Sequence, residues 1–452
     1  MRSLFEISKS GLRSAERSLS VTSNNIVNAD TKGYSRQRID KTPNGMKMTG
    51  YNTGLGVNIS NVTRLRNEMN DVMLNEKRQN MSFMQSKARV FEQLEASMAS
   101  DSGSDLDLSI SNLLDTFSEL STDPQDISVR NSLISDARQM TTKFKDVSRN
   151  IDRTSDLILE SSNSTINAIN GLLGEIHSLN QTIAQADAAG APDNTSLDLR
   201  VRKLEELSEL TDYEISANDS NAVELRIGGV KVLDAEKADH LKAEINDVDK
   251  TYQIRLESGK TVEPQGGQLG AELEMYQTEI PALKDRLDEL ASTIVTEFNA
   301  IHSGGYGLND NVSRNFFNPT NTTADTISLN QVLVDDPTNI AASDTDGEAG
   351  NGETALQIAE LRSQQLIGGR KLIDYSVDLI TSAGNSLSSL NSQIEARDSE
   401  IQMLTTQQER EAGVNIDEEL SLMIQYQNAY QGAAKVMSAA QNMYDTLIGI
   451  LR

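Results

Sequence analysis

Apolar positions along this chain step by three and four residues over long distances, and the pattern is densest at the two ends. Near the start, Phe5, Leu12, Ala15, Leu19, Thr22 and Ile26 keep that spacing. Near the end, Leu422, Tyr426, Ala429, Ala433, Val436, Ala440, Met443, Leu447 and Ile450 keep it as well. Alternating steps of three and four place side chains on one narrow helical seam, and a seam needs a partner helix. The spacing predicts terminal helices over 4–28 and 416–451 that pair with each other, with neighbouring subunits, or with both. Leu12, Leu19, Ile26, Leu422, Tyr426, Val436, Met443 and Leu447 are the candidate assembly residues. Ser3 stands three before Glu6, and Asn415 three before Glu418, the spacing of a capping box at a helix start. The turn formers after Asn28 end the first helix, and Gly413 separates the last one from what precedes it.

Between the ends the same period continues. Met84, Ala88, Phe91, Leu94 and Met98 make one helical face, and 108–120 a shorter helix. Met140, Phe144, Val147, Ile151, Thr154 and Ile158 make another, resumed by Ile169, Leu172, Ile176, Leu179 and Ile183 after a polar patch at 161–164. That patch is a candidate kink or stutter; unbroken, the helix spans about 90 Å at about 1.5 Å per residue. Leu273 to Phe298, with Pro281 as a kink or restart, and Leu379 to Leu404 complete three long helices. Such helices form an elongated antiparallel bundle.

In residues 212–263 the period changes to two. Val223, Leu225 and Ile227 alternate up to Gly228-Gly229, then Val230 and Val232 follow, which predicts a hairpin pairing Ile227 with Val230 and Leu225 with Val232. Tyr252, Ile254 and Leu256 supply a further strand, and Val57–Thr63 a short one near the start. Residues 303–355 are rich in Asn, Thr, Asp and Gly, with eight acids and one Arg. The expected fold is mainly α with a small β domain, divided into three parts. Residues 1–60 with 412–452 form a terminal-helix coiled coil. Residues 61–211, 264–302 and 354–411 form the bundle. Residues 212–263 with 303–353 form an outer, inserted antiparallel β domain.

Composition narrows the function. Aromatic residues are 4% and Trp is absent, so the core is aliphatic. The formal net charge of −26 argues against nucleic-acid binding, although residues 1–41 hold eight Lys/Arg against four Asp/Glu. Without Cys, disulfides and thiolate metal sites are excluded. Glu6, Lys9, Arg13 and Glu16 interrupt any apolar signal region, and no run approaches the roughly 20 apolar residues of a membrane span, so neither a cleaved signal nor membrane insertion is expected. His177, His240 and His302 are scattered, and no metalloprotease, nucleophile-elbow or phosphate-loop motif occurs. Acid clusters such as Asp335-Asp336 have no calcium-loop pattern and read as solvated loops. The expectation is a non-enzyme with no metal and no cofactor.

Two segments resemble a known family. Ser23-Asn-Asn-Ile-Val-Asn-Ala-Asp-Thr-Lys-Gly-Tyr-Ser-Arg-Gln37 is similar to the N-terminal signature of the flagellar rod, hook and hook-associated proteins. Gly413-Val-Asn-Ile-Asp-Glu-Glu-Leu420, Gln425-Tyr-Gln-Asn-Ala-Tyr430 and Asn442-Met-Tyr-Asp-Thr-Leu-Ile448 resemble their C-terminal signature. The signature positions here are Asn24, Asn25, Asn28, Gly33, Tyr34, Ser35, Asn415, Glu418 and Glu419, and the Gly-Tyr-Ser-Arg-Gln and Asp-Glu-Glu forms point to the hook-associated branch. The resemblance implies a structural adaptor at the hook–filament junction of the bacterial flagellum, outside the cell, exported by the flagellar type III route without a cleaved signal. Its implied partners are copies of itself in an axial tube, the hook protein, a second hook-associated protein on the filament side, and an export chaperone at the C-terminal helix. A hook or rod subunit is the alternative within the family; an adhesin on a flagellar scaffold is one from another class. Family members often carry a larger β insertion after the Phe-Phe found here at 316–317, so an outermost domain is expected to be missing or vestigial.

Overall fold

The computed structural model describes residues 2–31, 33–44, 54, 56–98, 106–217, 221–245, 251–309 and 311–450. Eleven α-helices and eight strands are present among them. The first helix, α1 (Arg2–Val27), is followed by an antiparallel hairpin of β1 (Gln37–Pro43) and β2 (Val57–Arg64). Helices α2 (Glu68–Met98), α3 (Leu106–Thr122), α4 (Ile127–Ala188) and α5 (Asn194–Leu210) come next. Because α1 already begins at Arg2, Ser3 lies inside the helix and not at its cap.

Helix α4 is 62 residues long and unbroken through 161–164. The patch is polar because it is a contact, not a break. Ser161 donates to Glu272, and Ser162 shares a 2.7 Å hydrogen bond with the Tyr252 hydroxyl. Further along, two asparagines on α4 hold the β region by pairing with strand backbone. Asn170 donates to the Leu241 carbonyl and accepts from its N–H at 2.9 and 2.8 Å; Asn180 does the same to Val223 at 2.9 and 3.1 Å. Each amide stands in for one rung of a β ladder.

The β region consists of two three-stranded antiparallel sheets. One is β3 (Glu214–Ala217), β4 (Val223–Ile227) and β5 (Val230–Leu233); the other is β6 (Leu241–Ile245), β7 (Tyr252–Leu256) and β8 (Thr261–Val262). Gly228 and Gly229 have φ of +53° and +72°, as a tight hairpin turn requires. Ile227 pairs with Val230 as expected, but a bulge between Leu225 and Arg226 pairs Leu225 with Leu233 in place of Val232. The extra residue lets both Val232 and Leu233 be buried.

Helix α6 (Gly267–Glu274) leads through one π turn at Met275–Glu279 into α7 (Ile280–His302). Pro281 is the cause: it has no N–H for the Gln277 carbonyl, and the Ile280 N–H bonds back to the Met275 carbonyl instead. The short α8 (Gln331–Asp335) and α9 (Glu353–Glu360) precede α10 (Leu372–Ala412) and α11 (Ile416–Ile450). Polar contacts joining Asn67 to Glu411 and Lys77 to Glu400, with Gly384 against Glu95, run α2 and α10 antiparallel.

Two main cores share α4. Its first part, Val129 to Ile158, packs with α3, α7, α9 and the start of α10 around Phe117, Phe298, Phe316 and Phe317. Its second part, Ile166 to Ile176, packs with α5, α6 and both three-stranded sheets. The segment 303–353 was expected beside the β sheets and lies elsewhere. Phe316, Phe317, Ala324, Ile327, Leu333, Ile340 and Ala342 are all in the first core, at the end of the bundle away from the sheets. A polar segment follows its few large apolar anchors, and here the Phe-Phe pair joins the aromatic cluster of Phe117 and Phe298.

Candidate assembly interface at the terminal helices

Helices α1 and α11 lie antiparallel within one chain. The Ser8 hydroxyl meets the Met437 sulfur at 3.6 Å, a Cβ on Gly11 would lie 3.3 Å from that of Ala433, and Asn25 bonds Glu419. The row on α1 that faces inward is Ser8, Gly11, Ala15, Ser18, Thr22 and Asn25, stepping by three and four. These are small residues, so the two backbones approach closely. Leu12, Leu19 and Ile26 fall one position further round and are half-buried at the rim. On α11, Leu422 and Tyr426 are half-buried, with the Lys41 ammonium 4.7 Å from the centre of the Tyr426 ring. Val436, Met443 and Leu447 are 42%, 46% and 42% exposed. The eight candidate residues therefore do not form one buried seam inside the chain. A seam of small side chains closes the pair, and Val436, Met443 and Leu447 point outward together with Leu420, Ile424, Tyr430, Tyr444 and Ile448. The physical reason is that one helix covers only one stripe of its neighbour, and the pair has no second layer of its own.

The signature residues build a polar joint beneath this pair. Asn25 uses its whole amide. Its oxygen accepts from the Tyr34 hydroxyl at 2.9 Å and the Gln37 N–H at 3.0 Å, and its nitrogen donates to the Gln37 carbonyl at 2.9 Å and to Glu419 at 3.1 Å. Glu419, only 1% exposed, also accepts from the Arg36 Nε at 2.7 Å, while Arg36 reaches Glu418 at 2.9 Å. Asn415 caps α11 by accepting from the N–H groups of Asp417 and Glu418 at 3.0 and 3.3 Å, and the acids of that first turn suit its dipole. Burial first, then the charges of Asp198 and Glu419, push the Tyr34 phenol up to about 12. Gly33 has φ +80°, and a Cβ there would sit 2.6 Å from Arg202 carbons. Asn24 and Asn28 bond each other at the exposed end of α1, away from the joint.

A second cluster fastens the joint to the bundle. Asp198 on α5 accepts the Ser35 hydroxyl at 2.8 Å, the Ser35 N–H at 3.2 Å and the Arg64 guanidinium at 2.8 Å. Arg66 donates to the Ser35 hydroxyl and grips Asp71 with two bonds of 2.6 and 2.9 Å. Asp198, Arg64 and Arg66 escape the sequence reading because nothing local distinguishes an acid on one helix that meets a serine 163 positions earlier.

A family model for the flagellar hook-associated protein FlgK helical domain matches residues 91–317, half of the chain. The chain belongs to that family. Models for the flagella basal body rod protein and for the C-terminal region of the flagellar basal body rod FlgEFG proteins match 5–34 and 402–450, which cover most of α1 with the turn after it, and the end of α10 with α11. Flagellar hook-associated protein 1 of Bacillus subtilis is 24% identical, with 98% of this chain and 97% of that protein covered. The Salmonella typhimurium protein of the same name is 23% identical with both chains fully covered, over 555 aligned positions, against 452 residues here. The flagellar hook junction protein FlgK from Burkholderia pseudomallei shares the fold, with a TM-score of 0.66 at 13% identity, covering 75% of this chain and 99% of that one. Among the described residues of this FlgK-family chain, no helix is long and apolar enough to cross a membrane.

Proposed function

We propose that this chain is a non-catalytic adaptor at the hook–filament junction of the flagellum, and that it assembles through the apolar surface left open on its terminal helix pair. The observation that carries this reading is the state of α11: of its 35 residues only Glu419 and Ala440 are buried, while ten large apolar or aromatic side chains face solvent. Isolated proteins do not keep such a stripe uncovered without a use for it. Copies of the chain side by side, around an axis, cover it. The bundle and its β sheets then lie outside the terminal pair as a finished shell.

The partners follow from that placement. Hook protein on one side and a second hook-associated protein on the other would present comparable terminal helices. Before assembly the same stripe is an aggregation hazard, which gives an export chaperone a reason to hold α11, and export by the flagellar type III route needs no cleaved signal. The rod-family matches at both ends support the shared terminal helices; the FlgK match over the middle favours the junction over the hook or rod.

Deletion of the gene, followed by electron microscopy of the cells and assay of the medium for flagellin, tests the reading. Hooks without filaments and free flagellin are expected. Loss of hooks would move the assignment to a hook or rod subunit, and intact flagella would overturn it.

A further inference from the structure

The segment between α7 and α9 crosses the end of the bundle with little regular structure, and its root is held by one imidazole. His302, the last residue of α7, is fully buried. Its Nδ1 lies 2.7 Å from the Arg314 carbonyl, and the Ala341 N–H donates to its Nε2 at 3.0 Å. A carbonyl can only accept and an amide N–H can only donate, so the pair of bonds fixes the neutral ring with its proton on Nδ1. The ring therefore clips together residues 314 and 341, the two ends of the part that carries Phe316, Phe317, Ile327 and Leu333 into the core.

The charges around it are cationic. Arg314 comes from the segment and Arg130 from α4, and both disfavour a second positive charge. Arg130 is itself buried and donates to the carbonyls of Pro124, Pro337 and Ile340, the last beside Ala341. Phe316 packs 5.4 Å from the imidazole and offers no counter-charge.

We propose that His302 is a proton-operated clamp: its protonation sets an N–H against the Ala341 N–H and releases residues 303–343 from the bundle end while the long helices stay folded. Burial, with the two arginines, holds the imidazole down to about 4, so the clamp is closed at neutral pH. The folded value is below the ordinary 6.5, so the closed state keeps its full stability above about pH 6.5 and loses it as the pH falls toward 4.

The test is hydrogen exchange with mass spectrometry on the full chain between pH 7 and 3.5, corrected for intrinsic rates, beside an NMR titration of the three histidines. His302 is expected to titrate near 4, with protection of 303–343 falling at least about tenfold over the same range and α4 and α7 still protected. His302→Asn should open the segment already at pH 7 and show no further acid step, whereas His177→Gln should behave as the parent. Titration of His302 near 6.5, protection unchanged through its titration, simultaneous loss in α4 and α7, or an acid step retained in His302→Asn would each overturn the clamp. If His302→Asn does not fold, the titration and exchange of the parent chain decide alone.

Discussion

Helices α4 and α11 are both long and both stepped by three and four, yet they live in different surroundings. Over 62 residues, α4 buries side chains on every turn from Val129 to Ile183, in two successive cores. Over 35 residues, α11 buries an acid and an alanine. Helix α4 covers its apolar stripe within one chain; α11 leaves most of its own exposed. An apolar period fixes that a helix has a sticky stripe, and only the supply of neighbours decides whether the stripe is satisfied in the monomer.

The contrast can be broken at its strong side first. Phe298→Ala, in the aromatic cluster of the first core, should cost about 3–5 kcal/mol of bundle stability, read as a fall in the urea midpoint. A small effect would mean that this core is looser than its packing. Glu419→Ala removes the partner of Arg36 and Asn25 in a buried joint and should cost about 2–4 kcal/mol, confined to the terminal pair. Proteolysis of α1 and α11 with the bundle intact is the expected signature, and unfolding of the whole chain in one step would contradict the separation. Gly33→Ala meets both a positive φ and Arg202, and about 1–2 kcal/mol is expected from thermal denaturation.

At the weak side, Leu447→Asp should leave the unfolding free energy of the monomer within about 0.5 kcal/mol of the parent, because the site is already exposed, yet abolish assembly in cells. Normal filaments from that variant would show that Leu447 faces no partner. The smallest effect is at high pH. Tyr34 is held neutral in the joint, so its contribution is complete below about pH 10 and disappears as the pH rises through about 12. Tyr34→Phe should remove that dependence, measured as protease sensitivity of the terminal pair against pH.

Much of this could be read in advance. The terminal helices, the hairpin at Gly228-Gly229 and the Asn415 cap follow from spacing and residue type. The inward row on α1 was legible only in part: Ala15 and Thr22 belong to it, but steps of three and four fit two adjacent rows, and the choice of Ser8, Gly11, Ser18 and Asn25 over Leu12, Leu19 and Ile26 as their companions depends on how close α11 comes. The bulge at Leu225 and the continuity of α4 through Ser161 and Ser162 depend on partners distant in sequence. So does the place of 303–353, whose apolar anchors have no period to read.

By itself the sequence determined the helical stripes, the change to a period of two in the middle, the caps and breaks, and the excess of apolar surface at both ends. These are local properties, set by backbone geometry and by side chains within a few residues. The tertiary structure alone decided which stripe closes on which, that Asp198 gathers Ser35 and Arg64, and that His302 clips Arg314 to Ala341. Those are contacts between groups brought together by folding, and a linear pattern carries no record of the distance across which they meet.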